Sequence, residues 1–197
     1  MLLNRKAQVD VPGLKYVADF ITELDELDLL AAVDAEPWLT DLKRRVQHYG
    51  YRYDYKARKV DPSMHLGSLP GWAQSLAARL VADGYMSTPD QLIVNEYEPG
   101  QGIAPHVDCV TCFGSVVCSI TLGSQCMMEL SAVNGEGTRS LLLERCSLVV
   151  LAGESRYEWR HAIARRKTDK IGDQMLPRNR RVSLTFRTVI IEGQDRR

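Results

Sequence analysis

QLIVNEYEPGQGIAPHVD, residues 91–108, decides the fold of this chain. Gln91 to Glu98 mix β-branched, aliphatic and aromatic side chains in the manner of a strand. Pro99, Gly100, Gln101 and Gly102 make a turn. His106 and Asp108 follow, two apart on an extended segment. Side chains on a strand repeat with a period of two, so this imidazole and this carboxylate face the same side, where one cation can hold both. A third, later histidine would complete the two-His-one-carboxylate facial set typical of non-haem Fe(II) oxygenases. His-X-Asp alone arises often by chance, and its weight depends on what the rest of the chain supplies.

Working outward, the strands continue. Ser115 to Gly123, Cys126 to Val133, Ser140 to Arg145, Ser147 to Ala152 and Arg181 to Ile191 are all rich in β-branched and aliphatic residues, and Asn134-Gly135-Glu136-Gly137 is a hairpin turn signal. Several short strands at close spacing predict a sandwich, a jelly roll or a barrel. Between the last two strands, residues 165–180 are basic, carry a glycine and a proline, and read as a mobile loop. The tail after Gly193 is expected to fray.

The N-terminal half differs. Tyr16 to Ile21 reads as a short strand, with Thr22 capping a helix that runs to about Glu36, where Pro37 breaks it. Leu24, Leu27, Leu30 and Ala31 recur at helical spacing on it. Val46 to Tyr55 alternates aromatic residues at Tyr49, Tyr51, Tyr53 and Tyr55, which predicts a strand with one aromatic face. That face is either a tyrosine-rich sheet surface or a stacking platform for bases or sugars. Residues 56–70 read as a loop. A second helix then carries Trp72, Leu76, Leu80 and Val81 and stops at Gly84.

The 197 residues favour one domain, and a composition of 45% hydrophobic and 25% charged residues suffices for a sizeable core. No apolar run approaches the ~20 residues of a membrane span, and the first residues lack a signal-peptide pattern, so a cytoplasmic monomer with no membrane partner is expected. A formal net charge of zero argues against coating nucleic acid by bulk electrostatics, while local basic clusters such as Lys43-Arg44-Arg45 leave room for a small footprint. Five cysteines outside any repeated framework fit a reducing compartment. Cys109 and Cys112 have no second ligand pair beside them, so they read as a reduced structural pair rather than a zinc half-site.

Two constellations carry chemistry. His161 follows SRYEWR after a buried-looking strand, so a short loop or helical turn can present it at the strand's end, where a jelly roll brings it to His106 and Asp108. The trio suits Fe(II), and also Mn, Zn or Ni. On the last strand, Arg181, Ser183, Thr185 and Arg187 share one face. Two arginines turned inward call for an anionic partner, and a dicarboxylate fits their paired hydrogen bonds. Asn95 and Tyr97 alternate likewise on the strand before the turn.

Taken together, Asn95-X-Tyr97, Pro99 to Ile103, His106-X-Asp108, Ser119 to Gly123, Gly153 to Tyr157, His161 and Arg181-X5-Arg187 resemble the AlkB family of 2-oxoglutarate/Fe(II) dioxygenases. The likeness runs from about 91 to 191 and is strongest to the branch that includes the tRNA-wobble-modifying homologue. The resemblance implies an α+β fold, a double-stranded β-helix core over 91–191 behind N-terminal helices and a nucleotide-recognition lid over about 1–90. It implies Fe(II) on His106, Asp108 and His161; 2-oxoglutarate on Arg181, Tyr97 and Ser183, with Arg187 and Asn95 near the chelating carboxylate; and O₂ as the oxidant. It further implies a nucleic-acid substrate met by Tyr49, Tyr51, Tyr53 and Arg156. Oxidative dealkylation of N-methyl or etheno bases, as in DNA repair, is the first expectation. A wobble-uridine hydroxylase of tRNA, or a protein or small-molecule hydroxylase, is the alternative. DNA-repairing members often carry an acidic residue two places after the aspartate ligand, and here that place is Val110.

Overall fold

The computed structural model describes residues 9–40 and 42–191; the N-terminal residues without a signal pattern and the tail after Gly193 lie outside them. Two antiparallel sheets face each other. The larger has six strands in the order β1 (Leu14–Val17), β8 (Leu148–Ala152), β5 (Val116–Gly123), β12 (Arg181–Arg187), β3 (Gln91–Tyr97) and β2 (Val46–Tyr49). The smaller has four: β4 (Ile103–His106), β9 (Trp159–Ile163), β6 (Cys126–Ala132) and β7 (Thr138–Leu143). A separate hairpin joins β10 (Thr168–Ile171) to β11 (Gln174–Pro177). Helices α1 (Glu23–Asp34) and α2 (Gly71–Ala82) precede the core, and the short α3 (Gly153–Tyr157) follows β8. This is the expected jelly roll.

Period-two alternation on β12 sorts its side chains between two environments. Val182, Leu184 and Phe186 point outward and join Leu29, Val33, Leu76 and Leu80 from the helices in one apolar core. The opposite face of β12 looks into the space between the sheets. There Val117, Met128, Leu130, Leu143, Val149, Leu151 and Ile163 fill one end with a second core. The other end is left to Arg181, Ser183, Thr185 and Arg187, all buried. A sandwich packed at one end and polar at the other has a built-in place for a ligand.

Several expectations change in detail. The first strand is Leu14–Val17, because the chain turns at Asp19 with a positive φ of 50°. Thr22 caps α1 as expected, its side chain accepting from the Asp25 amide. However, α1 buries Glu26, Leu29 and Val33 and leaves Leu24 and Leu27 exposed. The Glu26 carboxylate accepts from the Gly123 amide at 2.8 Å and from Arg145 Nε at 3.0 Å, and this pairing rotates the helix away from its leucine stripe. The aromatic strand stops at Tyr49. Gly50 has φ 74° and a Cβ there would sit 1.8 Å from the Asp90 carbonyl, so the chain leaves the sheet at a point only glycine fits. Beyond it, 51–70 is irregular apart from a 3₁₀ turn at Pro62–Met64.

Residues 165–180 are not a loose loop. Asp169, 1% exposed, accepts from Arg166 Nε at 2.8 Å, Arg178 Nε at 2.6 Å and the Met127 amide at 3.1 Å, and this cluster pins the β10–β11 hairpin to β6. Charge density alone could not distinguish an internally neutralised hairpin from a solvated loop. No helix among the described residues is long and apolar enough to cross a membrane.

Candidate metal and dicarboxylate site

The register of two strands makes the site. β4 pairs antiparallel with β9 so that His106 stands directly opposite His161, with ring centroids 4.3 Å apart. Directly paired residues share a face. Asp108, just past β4, turns its carboxylate to the same point, and one donor atom from each of the three lies within 4.8 Å of the others. His161 is therefore set by the strand itself; α3 ends before β9 begins, so no loop or helical turn presents it.

The surroundings suit a cation. His106 Nδ1 lies 2.9 Å from the Ala104 carbonyl, which fixes that nitrogen as the N–H and leaves Nε2 with its lone pair. Burial pushes the His161 imidazole down to about 4 against the pull of Asp108, so the ring is neutral at pH 7. Burial also opposes ionisation of Asp108, but the Arg187 guanidinium and then the two imidazoles hold its carboxyl well below the usual carboxylate range. Arg187 Nη2 donates to Asp108 Oδ1 at 3.1 Å and Nε to Oδ2 at 3.3 Å. His106 Nε2, the neutral His161 ring and the Asp108 carboxylate converge as a donor set that a divalent ion would satisfy.

The dicarboxylate end is set by β12 and β3. Arg181 stands opposite Tyr97, and Ser183 opposite Asn95, so the four share one wall. Arg181 Nη2 donates to Thr121 Oγ1 at 2.9 Å, and its Nε is buried without a partner among the described residues. A buried, unpaired guanidinium nitrogen is costly unless an anion meets it. Asn95 Oδ1 accepts from Arg44 Nε at 2.8 Å, leaving the amide NH₂ as a donor. Burial raises the Tyr97 phenol, which stays protonated and able to donate. The donor sets fit Fe(II) at the trio and 2-oxoglutarate beside it.

A cavity of about 730 Å³ joins both ends. Its mouth includes Arg44, Tyr53, Tyr55, Arg58, Val110 and Arg160. Of the expected substrate contacts, only Tyr53 lines it. Tyr49 packs edge-on against Trp72 of α2, with centroids 5.7 Å apart, and Tyr51 pairs with His65 at 4.8 Å. The break at Gly50 explains the split, because alternation does not survive it. Arg156 is 1% exposed and donates to the carbonyls of Asp108, Cys109, Phe113 and Gly114. It braces the chain behind the aspartate rather than meeting a substrate. Cys109 and Cys112 are joined as a disulfide, against the expected reduced pair; their Cα atoms lie 5.3 Å apart, within bridging distance. Arg44 and Tyr55 were legible only as a basic cluster and one more aromatic, and nothing local marks Arg160.

A family described as the 2OG-Fe(II) oxygenase superfamily matches residues 34–187. The chain is 38% identical over 207 residues to the Arabidopsis thaliana "Alkylated DNA repair protein ALKBH8 homolog", covering 93% of this chain and 60% of that protein. It is 39% identical over 166 residues to the Xenopus tropicalis "tRNA (carboxymethyluridine(34)-5-O)-methyltransferase alkbh8", covering 81% of this chain and 26% of that protein. It thus spans less than two thirds of either relative. The solved structure of OsALKBH1 superposes with a TM-score of 0.70 at 18% identity, over 90% of this chain and 97% of that one, a likeness of fold. With sequence, fold and donor set in agreement, the chain belongs to the AlkB branch of the 2OG-Fe(II) oxygenase superfamily and is a dioxygenase that uses Fe(II), 2-oxoglutarate and O₂.

Proposed function

We propose that this chain oxidises an alkyl carbon carried by a base of a nucleic-acid strand. His106, Asp108 and His161 hold the iron, while Arg181, Tyr97 and Ser183 take the distal carboxylate of 2-oxoglutarate. Asn95 and Arg187 lie at its chelating end. Iron held by these residues would supply the oxidising chemistry, coupling decarboxylation of 2-oxoglutarate to oxygen insertion at a C–H bond. The chain's own residues orient the co-substrate, keep Asp108 ionised and hold the base in the dry part of the cavity.

Two kinds of base fit such a site. One is an N-methyl or etheno adduct, whose oxidation removes the alkyl group and repairs DNA. The other is a modified wobble uridine of tRNA, which would keep the added oxygen. One observation favours the second: among the described residues Asp108 is the only carboxylate lining the cavity, while Arg44, Arg58 and Arg160 also line it and Val110 stands beyond the aspartate. Many N-methylated bases are cations and would meet arginine. A uracil offers acceptor oxygens, and a carboxymethyl-type substituent offers more, which suit arginine donors. The Xenopus relative's name refers to carboxymethyluridine, which supports this reading. Tyr53 and Tyr55 supply aromatic faces for a base taken out of its stack.

Mass spectrometry after incubation with Fe(II) and 2-oxoglutarate tests the choice. Anticodon stem-loops bearing carboxymethyl-type uridines should gain one oxygen. Methylated and etheno oligonucleotides should stay unchanged. Loss of a methylene from the methylated oligonucleotides, with the stem-loops untouched, would instead make the chain a demethylase.

A further inference from the structure

The Cys109–Cys112 pair is the one sequence motif that the oxygenase reading leaves unused. It sits in the turn directly after Asp108, 7% and 4% exposed, in a small apolar cluster with Phe113, Val189 and Ile191. Above it lies residue segment 54–59, closed by reciprocal backbone hydrogen bonds between Asp54 and Lys59 at 3.1 and 3.3 Å. Arg58 in that segment has a φ of 52°, a left-handed backbone that costs a non-glycine residue and needs outside support. Its carbonyl points at both sulfurs, 3.5 Å from Cys109 Sγ and 3.3 Å from Cys112 Sγ. Its side chain lines the cavity mouth.

This contact depends on oxidation state. Two thiols offer S–H donors to the Arg58 carbonyl. In the disulfide seen here neither sulfur carries a hydrogen, so both only lie against the carbonyl; reduction breaks the S–S bond, parts the sulfurs and gives each an S–H that can donate to it. The base of the turn is held independently of the sulfurs, because Arg156 donates to four of its carbonyls. We propose that Cys109 and Cys112 form a reversible thiol–disulfide site whose state sets how firmly segment 54–59 is held over the cavity. The oxidant is a low-molecular-weight disulfide. One cysteine sulfur attacks it, forming a mixed disulfide and releasing one small thiol. The second cysteine sulfur then attacks the mixed disulfide, forming the Cys109–Cys112 bond and releasing the other small thiol. The two cysteines give up two protons and two electrons, and the small disulfide takes both. Because the sulfurs are buried beneath Arg58, exchange requires the segment to lift.

Hydrogen exchange on the full chain, loaded with Mn(II) and 2-oxoglutarate, tests this. The protein is poised with a small thiol and its disulfide, and free thiols are trapped by alkylation for mass analysis. Oxidised protein should leave Cys109 and Cys112 unalkylated and exchange amides in 54–59 about two- to fivefold faster per lost S–H contact than reduced protein. Cys109→Ser with Cys112→Ser keeps two donors and cannot oxidise, so its exchange should stay slow under both conditions. Cys109→Ala with Cys112→Ala should stay fast. Equal exchange in the two wild-type states overturns the proposal, as does a pair that never oxidises at any thiol ratio. The wild-type comparison stands if either variant fails to fold. No nucleic acid enters the assay, so its failure would leave the proposed substrate untouched, and the reverse holds.

Discussion

Asp108 and Asp169 are both buried carboxylates held by arginine, yet only one belongs to a site. Each has its carboxyl held below the usual range by neighbouring guanidinium groups despite burial. Asp169 is saturated: Arg166, Arg178 and the Met127 amide take its oxygens at 2.6 to 3.1 Å. Among the described residues Asp108 accepts from Arg187 alone, at 3.1 and 3.3 Å, and it faces the two imidazoles. The first is a finished structural clamp. The second presents the donor set of a cation site. An arginine–carboxylate pair therefore marks a site only where acceptors remain over and a cavity reaches them.

The largest effect that sharpens this contrast is loss of the ion. Asp108→Ala or His161→Ala should lower metal affinity by more than the roughly 10–100-fold typical of outer-shell changes, with succinate formation falling in parallel. A variant that binds iron as tightly as the parent would place the metal elsewhere. Next comes the clamp. Asp169→Asn strands Arg178, 6% exposed in its side chain, and should cost about 3–5 kcal/mol in denaturant melts while leaving the Michaelis constant for 2-oxoglutarate unchanged. If that constant moved as far as it does for a site residue, the two carboxylates would not be separable.

Arg181→Lys removes the fork but keeps the charge, and should raise the Michaelis constant for 2-oxoglutarate about tenfold or more, on the scale of a lost charge-assisted hydrogen bond. Acid separates the regions in another way. The depressed Asp169 value means its contribution is fully present above the ordinary carboxylate pKa of ~4 and is lost as pH falls through the lower folded value. Exchange protection of the β10–β11 hairpin should therefore hold at pH 5 and fade only below about pH 4. A hairpin already unprotected at pH 6 would rule out the clamp. The smallest effect belongs to Tyr55, whose buried hydroxyl meets no hydrogen-bond partner among the described residues. Tyr55→Phe should leave thermal stability unchanged or slightly raised, and any change should appear only with ligand bound.

The strand-borne part of the site was legible in the sequence because alternation survives folding. Arg181-X-Ser183 keeps its face, His106 closes β4 and Asp108 reaches the same point from just past the strand, and pairing across strands adds Asn95 and Tyr97 in register. The cover was not. Alternation from Tyr49 to Tyr55 breaks at Gly50, so three tyrosines that look equivalent go to α2, to His65 and to the cavity. Arg156 looked like a substrate contact because composition does not reveal that its guanidinium is enclosed by four carbonyls. On α1, Glu26 overrode the leucine periodicity through its bonds to Gly123 and Arg145, a long-range pairing that no local window contains.

Anaerobic titration of the full chain with Fe(II) and 2-oxoglutarate, followed by the visible absorption of the iron–2-oxoglutarate chelate, tests the central claim most directly. The wild-type chain should develop the band with one equivalent of each. His161→Ala should show none, and Arg181→Ala should need far more 2-oxoglutarate to reach it. An unaltered band in His161→Ala, or no band in the wild-type chain, would contradict the assignment of His106, Asp108, His161 and Arg181 to one oxygenase site.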